Sequence, residues 1–202
     1  MDIKEKDLSV LLTSEYTCQY LKRIAVVIPR LNGGLIDEAI DRLVAVKKSG
    51  GRLFFLGVGG SAANCAHAVN DFRKIAGIES YAPTDNVAEL TARTNDEGWD
   101  TVFSEWLKTS HLGENDAVMI LSVGGGSLKR NVSTNLVKAL DYAREVGATT
   151  MGIVSRDGGY TGQVADVPII IPPDYEEMIT AFAESIQGVV WHLMANHPKL
   201  RN

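Results

Sequence analysis

The chain contains 202 residues, of which 45% are hydrophobic and 22% are charged, and its formal net charge is -5. This composition describes a globular chain that can bury one substantial core, so we expect a single domain over residues 1–202. It argues against a nucleic-acid surface, which needs clustered basic residues, and the lack of a membrane-length apolar run or signal sequence predicts a cytoplasmic protein without membrane contact.

The N-terminal part of the chain predicts a pair of helices. Apolar residues recur at helical spacing over residues 5–28 and 34–48, and Pro29–Gly34 interrupts the pattern between them. The two cysteines, Cys18 and Cys65, fall in different predicted helices and form no Cys-x-x-Cys pair. We therefore expect neither a disulfide framework nor a thiolate zinc site.

From Gly51 onward, short β-rich runs alternate with longer amphipathic stretches, as in βαβ units around a parallel sheet. The predicted strands are Arg52–Leu56, Ile78–Ala82, Ala117–Leu121, Thr149–Val154 and Val167–Ile171. Helices are predicted over residues 61–75, 86–94, 99–111, 133–146, 158–164 and 176–196. The expected fold class is α/β, with a parallel five-stranded sheet flanked by helices. Such sheets bind ligands at the carboxyl ends of their strands, which directs attention to the loops after Leu56 and Leu121.

The loop after Leu56 has the composition of an anion site. It reads Gly57-Val58-Gly59-Gly60-Ser61 and leads into a predicted helix. Gly59 and Gly60 would let the backbone approach a ligand closely, and Ser61 stands where a helix N-cap exposes unpaired amides. A glycine-rich turn with a serine cap is also common packing geometry. The motif is neither a P-loop nor a complete dinucleotide fingerprint.

The loop after the third predicted strand repeats these features. It runs from Ser122 through Gly124 to Asn135 and gathers hydroxyls and glycines before a predicted helix, with Lys129 and Arg130 as added positive charge. Because both loops follow strands of one sheet, we expect them to converge and to hold a phosphate group together.

These loops, together with Asn95-Asp96-Glu97-Gly98 and Arg156-Asp157-Gly158-Gly159, resemble the sugar isomerase (SIS) domain family, and within it the sedoheptulose-7-phosphate (phosphoheptose) isomerases. The similarity extends over nearly the whole chain. It implies a flavodoxin-like, doubly wound sheet and a homotetramer with sites at its subunit interfaces. It also implies an aldose–ketose isomerase whose substrate is a small sugar phosphate and whose reaction is the first step in the synthesis of nucleotide-activated heptoses. The family uses no organic cofactor, and some of its members bind zinc.

The resemblance assigns phosphate binding to matched positions. Ser61 matches the serine of the family's first loop, and Ser122 matches the first hydroxyl of its second loop. The second loop is longer here, so Ser127 and Ser133 are alternative matches for its last serine. Ser133 is favoured, because the residues after it resemble the start of the family's next helix.

Isomerisation between C1 and C2 needs a base that carries a proton between the carbons and an acid/base group that moves the oxygen protons through an enediol. The resemblance assigns these roles to Asp71 and His192, respectively. The family has a glutamate at the position of Asp71 and an asparagine at that of Val58. The Asn95-Asp96 turn matches a family motif, in which Asp96 either orients a substrate hydroxyl or stabilises the turn.

A metal site is a further expectation. His67 and Asp71 are four residues apart on one predicted helix, which is the spacing of a two-ligand metal clamp. Glu184, where the family usually has a glutamine, and His192 would complete a four-ligand zinc site. The alternative is that His67 donates a buried hydrogen bond near the substrate and that no metal is bound.

The main prediction is therefore the conversion of sedoheptulose 7-phosphate to a heptose 7-phosphate. A first alternative is a non-catalytic sugar-phosphate-binding or assembly protein of the same fold. A second is an isomerase of another ketose phosphate, because the longer second loop would reshape the pocket.

Overall fold

The computed structural model describes residues 15–201. Its first helix, α1, spans Glu15–Val27, so the start of the helix predicted over residues 5–28 lies outside the described residues. A 3-10 turn separates α1 from α2, which spans Gly33–Lys48 and is capped by Asn32, whose side-chain oxygen accepts a hydrogen bond from the Leu35 amide. The predicted helical pair is confirmed over the part that the structure describes.

Five parallel strands form one sheet in the order β2-β1-β3-β4-β5, which is the doubly wound, flavodoxin-like order. The strands are β1 Leu53–Gly57, β2 Ser80–Tyr81, β3 Ala117–Leu121, β4 Thr149–Val154 and β5 Val167–Ile170. The fold class is confirmed. The prediction of a strand over Ile78–Ala82 was too long, because β2 is an edge strand that pairs with β1 at two positions and is followed by a 3-10 turn beginning at Pro83.

The remaining helices cover both faces of the sheet: α3 Gly60–Asp71, α4 Val87–Glu97, α5 Val102–Thr109, α6 Thr134–Glu145, α7 Gly159–Val164 and α8 Ile179–Ala195. The helix predicted over 61–75 changes at Phe72 into a π-helical turn that ends at left-handed Gly77. The helix predicted over 86–94 continues to Glu97, and a 3-10 turn at Glu176–Met178 precedes α8.

Alternate residues of the central strands point to two separate cores. Phe55 and Met119 belong to the core shared with α2, α3 and α8, whereas Phe54 and Val118 belong to the core shared with α5 and α6. Because both faces are covered, the strands are continuous apolar runs. No helix in the described part of the chain is long and apolar enough to cross a bilayer, and the cytoplasmic location stays a prediction.

The register of β1 and β3 sets the position of the two candidate loops. At the amino ends of these strands, the buried Asp116 carboxylate accepts hydrogen bonds from the Arg52 amide (2.8 Å) and the Gly113 amide (3.0 Å). The hydrogen bond between the Asp116 carboxylate and the Arg52 guanidinium also raises the pKa of Arg52. At the carboxyl ends, Gly57 pairs with Leu121, so the two loops leave the sheet side by side.

Candidate active site

The first loop turns sharply between β1 and α3. Gly59 adopts a positive φ of 65° and is the N-cap of α3, which begins at Gly60. Such a conformation favours glycine because a side chain would be strained there. Ser61 is therefore the second residue of the helix and not its cap, contrary to the sequence-based expectation, and it is buried with 2% exposure.

A carboxylate lies directly against the beginning of α3. A Cβ atom placed on Gly60 would be 2.4 Å from Oε2 of Glu184, so the carboxylate end of this flexible side chain packs directly on the glycine. Glu184 comes from α8 and is 124 residues away in sequence. The positive end of the α3 dipole thus already faces a negative group belonging to the chain itself.

The second loop is anchored to α7 by its glycines. The amides of Tyr160 and Thr161 donate to the carbonyls of Gly126 (2.8 Å) and Gly125 (2.9 Å). A Cβ atom on Gly125 would be 1.9 Å from the carbonyl oxygen of Gly158, so the two backbone segments touch. The close approach requires glycine and fixes the loop at the carboxyl end of the sheet.

Unpaired donors gather at the second loop. Within the described residues, the backbone amides of Gly124, Gly126, Thr134 and Asn135 donate no hydrogen bond. The side-chain Nδ2 of Asn135 is fully buried and also lacks an acceptor. Gly126 and Asn135 are buried, whereas Gly124 and Thr134 are partly exposed, and buried donors are normally satisfied. Their concentration at the beginning of α6 indicates a place for an anion or water.

Two of the candidate serines flank these donors. Ser122 Oγ accepts a hydrogen bond from the Gly125 amide (3.1 Å), which leaves its own proton free to donate. Ser133 is the N-cap residue of α6, in the left-handed conformation, and its hydroxyl makes no capping hydrogen bond. The structure thus leaves both hydroxyls able to bind a ligand.

Ser127 lies in a different environment. It forms an antiparallel bridge with Val132, and its hydroxyl accepts a hydrogen bond from the Arg130 amide. The hairpin between them has one cleft on each side. Ser127 lines a cleft of about 450 Å³ with residues of α7, and Ser133 lines one of about 490 Å³ with Trp99 and Lys138. Neither cleft is lined by a residue of the first loop.

Asn95 and Asp96 occupy the last turn of α4 and not a free turn, which corrects the sequence-based expectation. Both are exposed, and the Asn95 amide donates to the Asp96 carboxylate at 2.7 Å. The helix ends at Gly98, whose positive φ of 92° terminates it. No contact joins Asn95 or Asp96 to either loop among the described hydrogen bonds.

His67, Asp71 and His192 come together on one side of the molecule. Their candidate ligand atoms all lie within 4.8 Å of one another, and His192 Nε2 is 3.6 Å from Asp71 Oδ2. The His192 Nδ1 atom is 2.7 Å from the carbonyl oxygen of Gly188. Because a carbonyl only accepts, Nδ1 carries a proton, and Nε2 of the neutral ring presents its lone pair beside the carboxylate.

The packing of α3 against α8 produces this cluster. The two helices run in the same direction, because Gly60 contacts Glu184 and further contacts follow in the same order along both helices. Asn64 Nδ2 donates to the Glu184 carbonyl (2.9 Å) and to Gln187 Oε1 (3.1 Å). The His67 ring then meets the Trp191 ring edge-on, with centroids 4.7 Å apart. Sequence reasoning missed Asn64 and Gln187, which fix the alignment of the helices.

Three of the four predicted metal ligands lie together in the structure, and the fourth, Glu184, does not. Glu184 does not join His67, Asp71 and His192, because it lies near the other end of the shared seam, against Gly60. Two imidazoles and one carboxylate suit zinc and would leave a position open for substrate. The 4.8 Å spread would have to shorten for direct coordination. His67 is exposed in the single chain, and the alternative, in which it donates a hydrogen bond near the substrate and no metal is bound, stays a prediction.

The cluster is separated from the first loop. Asp71 follows Ser61 by ten residues on α3, which corresponds to about 15 Å along the helix axis. A seven-carbon sugar phosphate is roughly 10 Å long when fully extended, given ordinary bond lengths. Within one chain, therefore, the Asp71 carboxylate lies farther from Ser61 than one substrate molecule reaches.

Comparisons with known proteins agree on one family. A model of the SIS domain family matches residues 15–155, which is more than half of the chain. The chain is 35% identical over 142 residues to a phosphoheptose isomerase of Trichlorobacter lovleyi, covering 68% of this chain and 69% of that protein. It is 32% identical over 164 residues to one of Rhodospirillum rubrum, covering 77% and 84%. The structure of phosphoheptose isomerase from Neisseria gonorrhoeae is similar with a TM-score of 0.76 at 21% identity, covering 90% of this chain and 96% of that chain.

Proposed function

Because this chain belongs to the SIS domain family, we propose that it is an aldose–ketose isomerase that converts sedoheptulose 7-phosphate to a heptose 7-phosphate for nucleotide-activated heptose synthesis. Relatives named phosphoheptose isomerase, up to 35% identical, support this substrate. The single observation that carries the chemistry is the approach of His192 Nε2 to Asp71 Oδ2 at 3.6 Å.

The two side chains suit proton transfer through an enediol. Asp71 would take the proton from C1 and return it to C2, while His192 moves the proton between the two oxygens. Asn70 donates a hydrogen bond to Asp71 Oδ1 (2.9 Å), which orients the carboxylate and leaves Oδ2 for the reaction. The Asp71 side chain is only 14% exposed, so bulk water has limited access to it.

The phosphate is assigned mainly to the second loop. Unpaired amides and the hydroxyls of Ser122 and Ser133 supply donors there, and the nearby carboxylates Asp100 and Asp157 pair with Lys138 and with the Gly159 amide, respectively. Glu184 beside Gly60 would repel a phosphate dianion at the start of α3, so Ser61 and the first loop are better suited to sugar hydroxyls. The assignments of Ser127, Asn95 and Asp96 as substrate ligands stay predictions.

A site shared between subunits agrees with the separation described above. If the loops of one subunit face Asp71 and His192 of a second, one extended substrate reaches both. The exposed side of α8 carries Val189 and Leu193, which are 43% and 47% exposed and stand four residues apart on one helix face. This apolar face favours the homotetramer implied by the family.

A metal ion is compatible with the same site. His67, Asp71 and His192 would hold zinc, which would polarise the substrate oxygens when bound. Glu184 is not part of this set. One carboxylate oxygen of Asp71 would then bind the metal ion and help to orient the substrate. Only the other oxygen would be left to act as the base that takes the proton from carbon.

Kinetics of matched variants tests the proposal. We expect wild-type protein to isomerise sedoheptulose 7-phosphate, and Asp71→Asn and His192→Ala each to lose about a hundredfold to ten-thousandfold in kcat. His197→Ala, two residues after the end of α8, serves as the control and should retain activity. Full turnover in both site variants rules out the assigned chemistry. Binding without turnover by the wild type indicates a binding protein instead, and turnover of only another ketose phosphate in a five- to eight-carbon panel changes the substrate.

A further inference from the structure

Arg156 follows β4 and lies next to the second loop. The Ser155 amide donates to the carbonyl of Val123 at 3.1 Å, which carries the pairing of β3 and β4 one step past the strand ends. Arg156 is the next residue. Its Cδ atom lies 3.9 Å from the position that a Cβ on Gly124 would occupy, so the side chain passes over the loop with the unpaired amides.

The backbone of Arg156 is held in an unusual conformation. Its φ is 55°, in the left-handed region that disfavours residues with a side chain. The turn is closed by the Gly158 amide, which donates to the Ser155 carbonyl at 2.9 Å, and the Asp157 side chain accepts from the Gly159 amide at 3.1 Å. The neighbouring carboxylate is therefore used within the turn and does not pair with the guanidinium.

The guanidinium of Arg156 has no ion-pair or hydrogen-bond partner among residues 15–201. Six other arginines in this range have a hydrogen-bond or ion-pair partner for their guanidinium group, namely Arg23, Arg30, Arg42, Arg52, Arg73 and Arg93. The remaining three are Arg130, which lines the cleft beside α7, Arg144, which lies in the last turn of α6, and Arg201 after α8. Arg156 is thus an unpaired cation at the loop whose donors lack an acceptor.

We propose that Arg156 binds the phosphate group of the substrate, closing over the Ser122–Gly126 loop. The amides and hydroxyls of the loop are neutral, so a dianion held there needs a counter-charge, and a guanidinium can bind two phosphate oxygens at once. The inference rests on the proposed function for the identity of the sugar. It adds the residue that would neutralise the phosphate.

Three variants test the assignment with protein of full length. Arg156→Ala should raise KM for sedoheptulose 7-phosphate about tenfold to a hundredfold, the loss expected for a hydrogen bond to a charged group, and leave kcat within about threefold. Arg156→Gly should do the same without strain, because glycine tolerates this φ. Arg156→Lys should give a KM between those of the wild type and Arg156→Ala, since lysine keeps the charge but cannot bind two phosphate oxygens as the planar guanidinium does. Arg42→Ala, which removes the same charge from exposed α2, should leave KM unchanged.

Calorimetric titration with inorganic phosphate separates this inference from the proposed function. Loss of phosphate binding in Arg156→Ala and Arg156→Gly supports it, even if the wild type turns over no heptulose phosphate, in which case only the function is refuted. Unchanged phosphate affinity or unchanged KM in the folded glycine variant overturns it while the function stands. Wild-type protein that binds no phosphate overturns it as well.

Discussion

At the scale of single residues, the candidate site consists of side chains from two helices, with His67 and Asp71 on α3 and His192 on α8. The spacing of His67 and Asp71 placed them together, and the resemblance added His192; the structure brings all three within 4.8 Å. Glu184 was predicted to join them and instead contacts Gly60. The position of Glu184 depends on how α8 aligns with α3. Hydrogen bonds of Asn64 fix this alignment, including one to Gln187, and no local sequence pattern predicts them.

Glu184 should weaken the binding of anionic substrates. We expect Glu184→Gln, which introduces the residue usual in the family, to lower KM for sedoheptulose 7-phosphate by about threefold to tenfold, because it removes a negative charge near the site. The effect should shrink at high ionic strength, since salt screens charges at this range. Steady-state kinetics at two salt concentrations measures both.

Glu38→Gln provides the matched control for this prediction. Glu38 is an exposed carboxylate on α2, paired with Arg42, and its neutralisation should not change KM. An increase in KM for Glu184→Gln at low salt would mean that the carboxylate accepts hydrogen bonds from the sugar and contributes to affinity.

At the scale of secondary-structure elements, the contact between the second loop and α7 determines the shape of the candidate phosphate site. Gly125→Ala would drive a methyl group into the Gly158 carbonyl and would strain a residue whose φ is 67°. We expect a loss of about 2–4 kcal/mol in the free energy of unfolding. Urea denaturation followed by circular dichroism measures it.

Gly33→Ala is the control for this substitution. Gly33 begins α2, has no atom within 4 Å of an added Cβ and does not have a positive φ, so alanine there should be neutral or slightly stabilising. If the two variants unfolded at the same urea concentration, the second loop would not be anchored as described.

The elements themselves were largely predictable. β3 and β4 match the predicted bounds because continuous buried apolar runs mark them clearly. The ends of α3 and α4 and the short β2 were not predicted, since they depend on a π-helical turn, a glycine terminator and edge pairing. The predicted role of Ser61 as a helix cap was wrong for a similar reason. Gly59 is the N-cap of α3, so Ser61 lies inside the helix.

At the scale of the whole molecule, the distance of about 15 Å along α3 between Ser61 of the first loop and Asp71 makes assembly part of the proposed mechanism. We expect light scattering to give four times the 21.9 kDa chain mass. Co-expressed Asp71→Asn and Ser122→Ala chains, each inactive alone, should regain activity, because some sites would combine an intact loop with an intact carboxylate from another subunit.

The control for co-expression is a pair of variants in the same element, Asp71→Asn with His192→Ala. Asp71 and His192 of a catalytic pair come from α3 and α8 of the same chain. Every pair in the mixed assembly therefore carries one of the two substitutions, so little activity should return. A fully active monomer would remove the shared site from the account.

The central claim is that Asp71 moves a proton between C1 and C2 of a bound heptulose phosphate. The most direct measurement is NMR of sedoheptulose 7-phosphate incubated with the protein in deuterated water. The account predicts an aldoheptose 7-phosphate carrying deuterium at C2, formed by the wild type and not by Asp71→Asn. Unchanged ketose with no deuterium in the wild-type reaction, or equal product from Asp71→Asn, would contradict it.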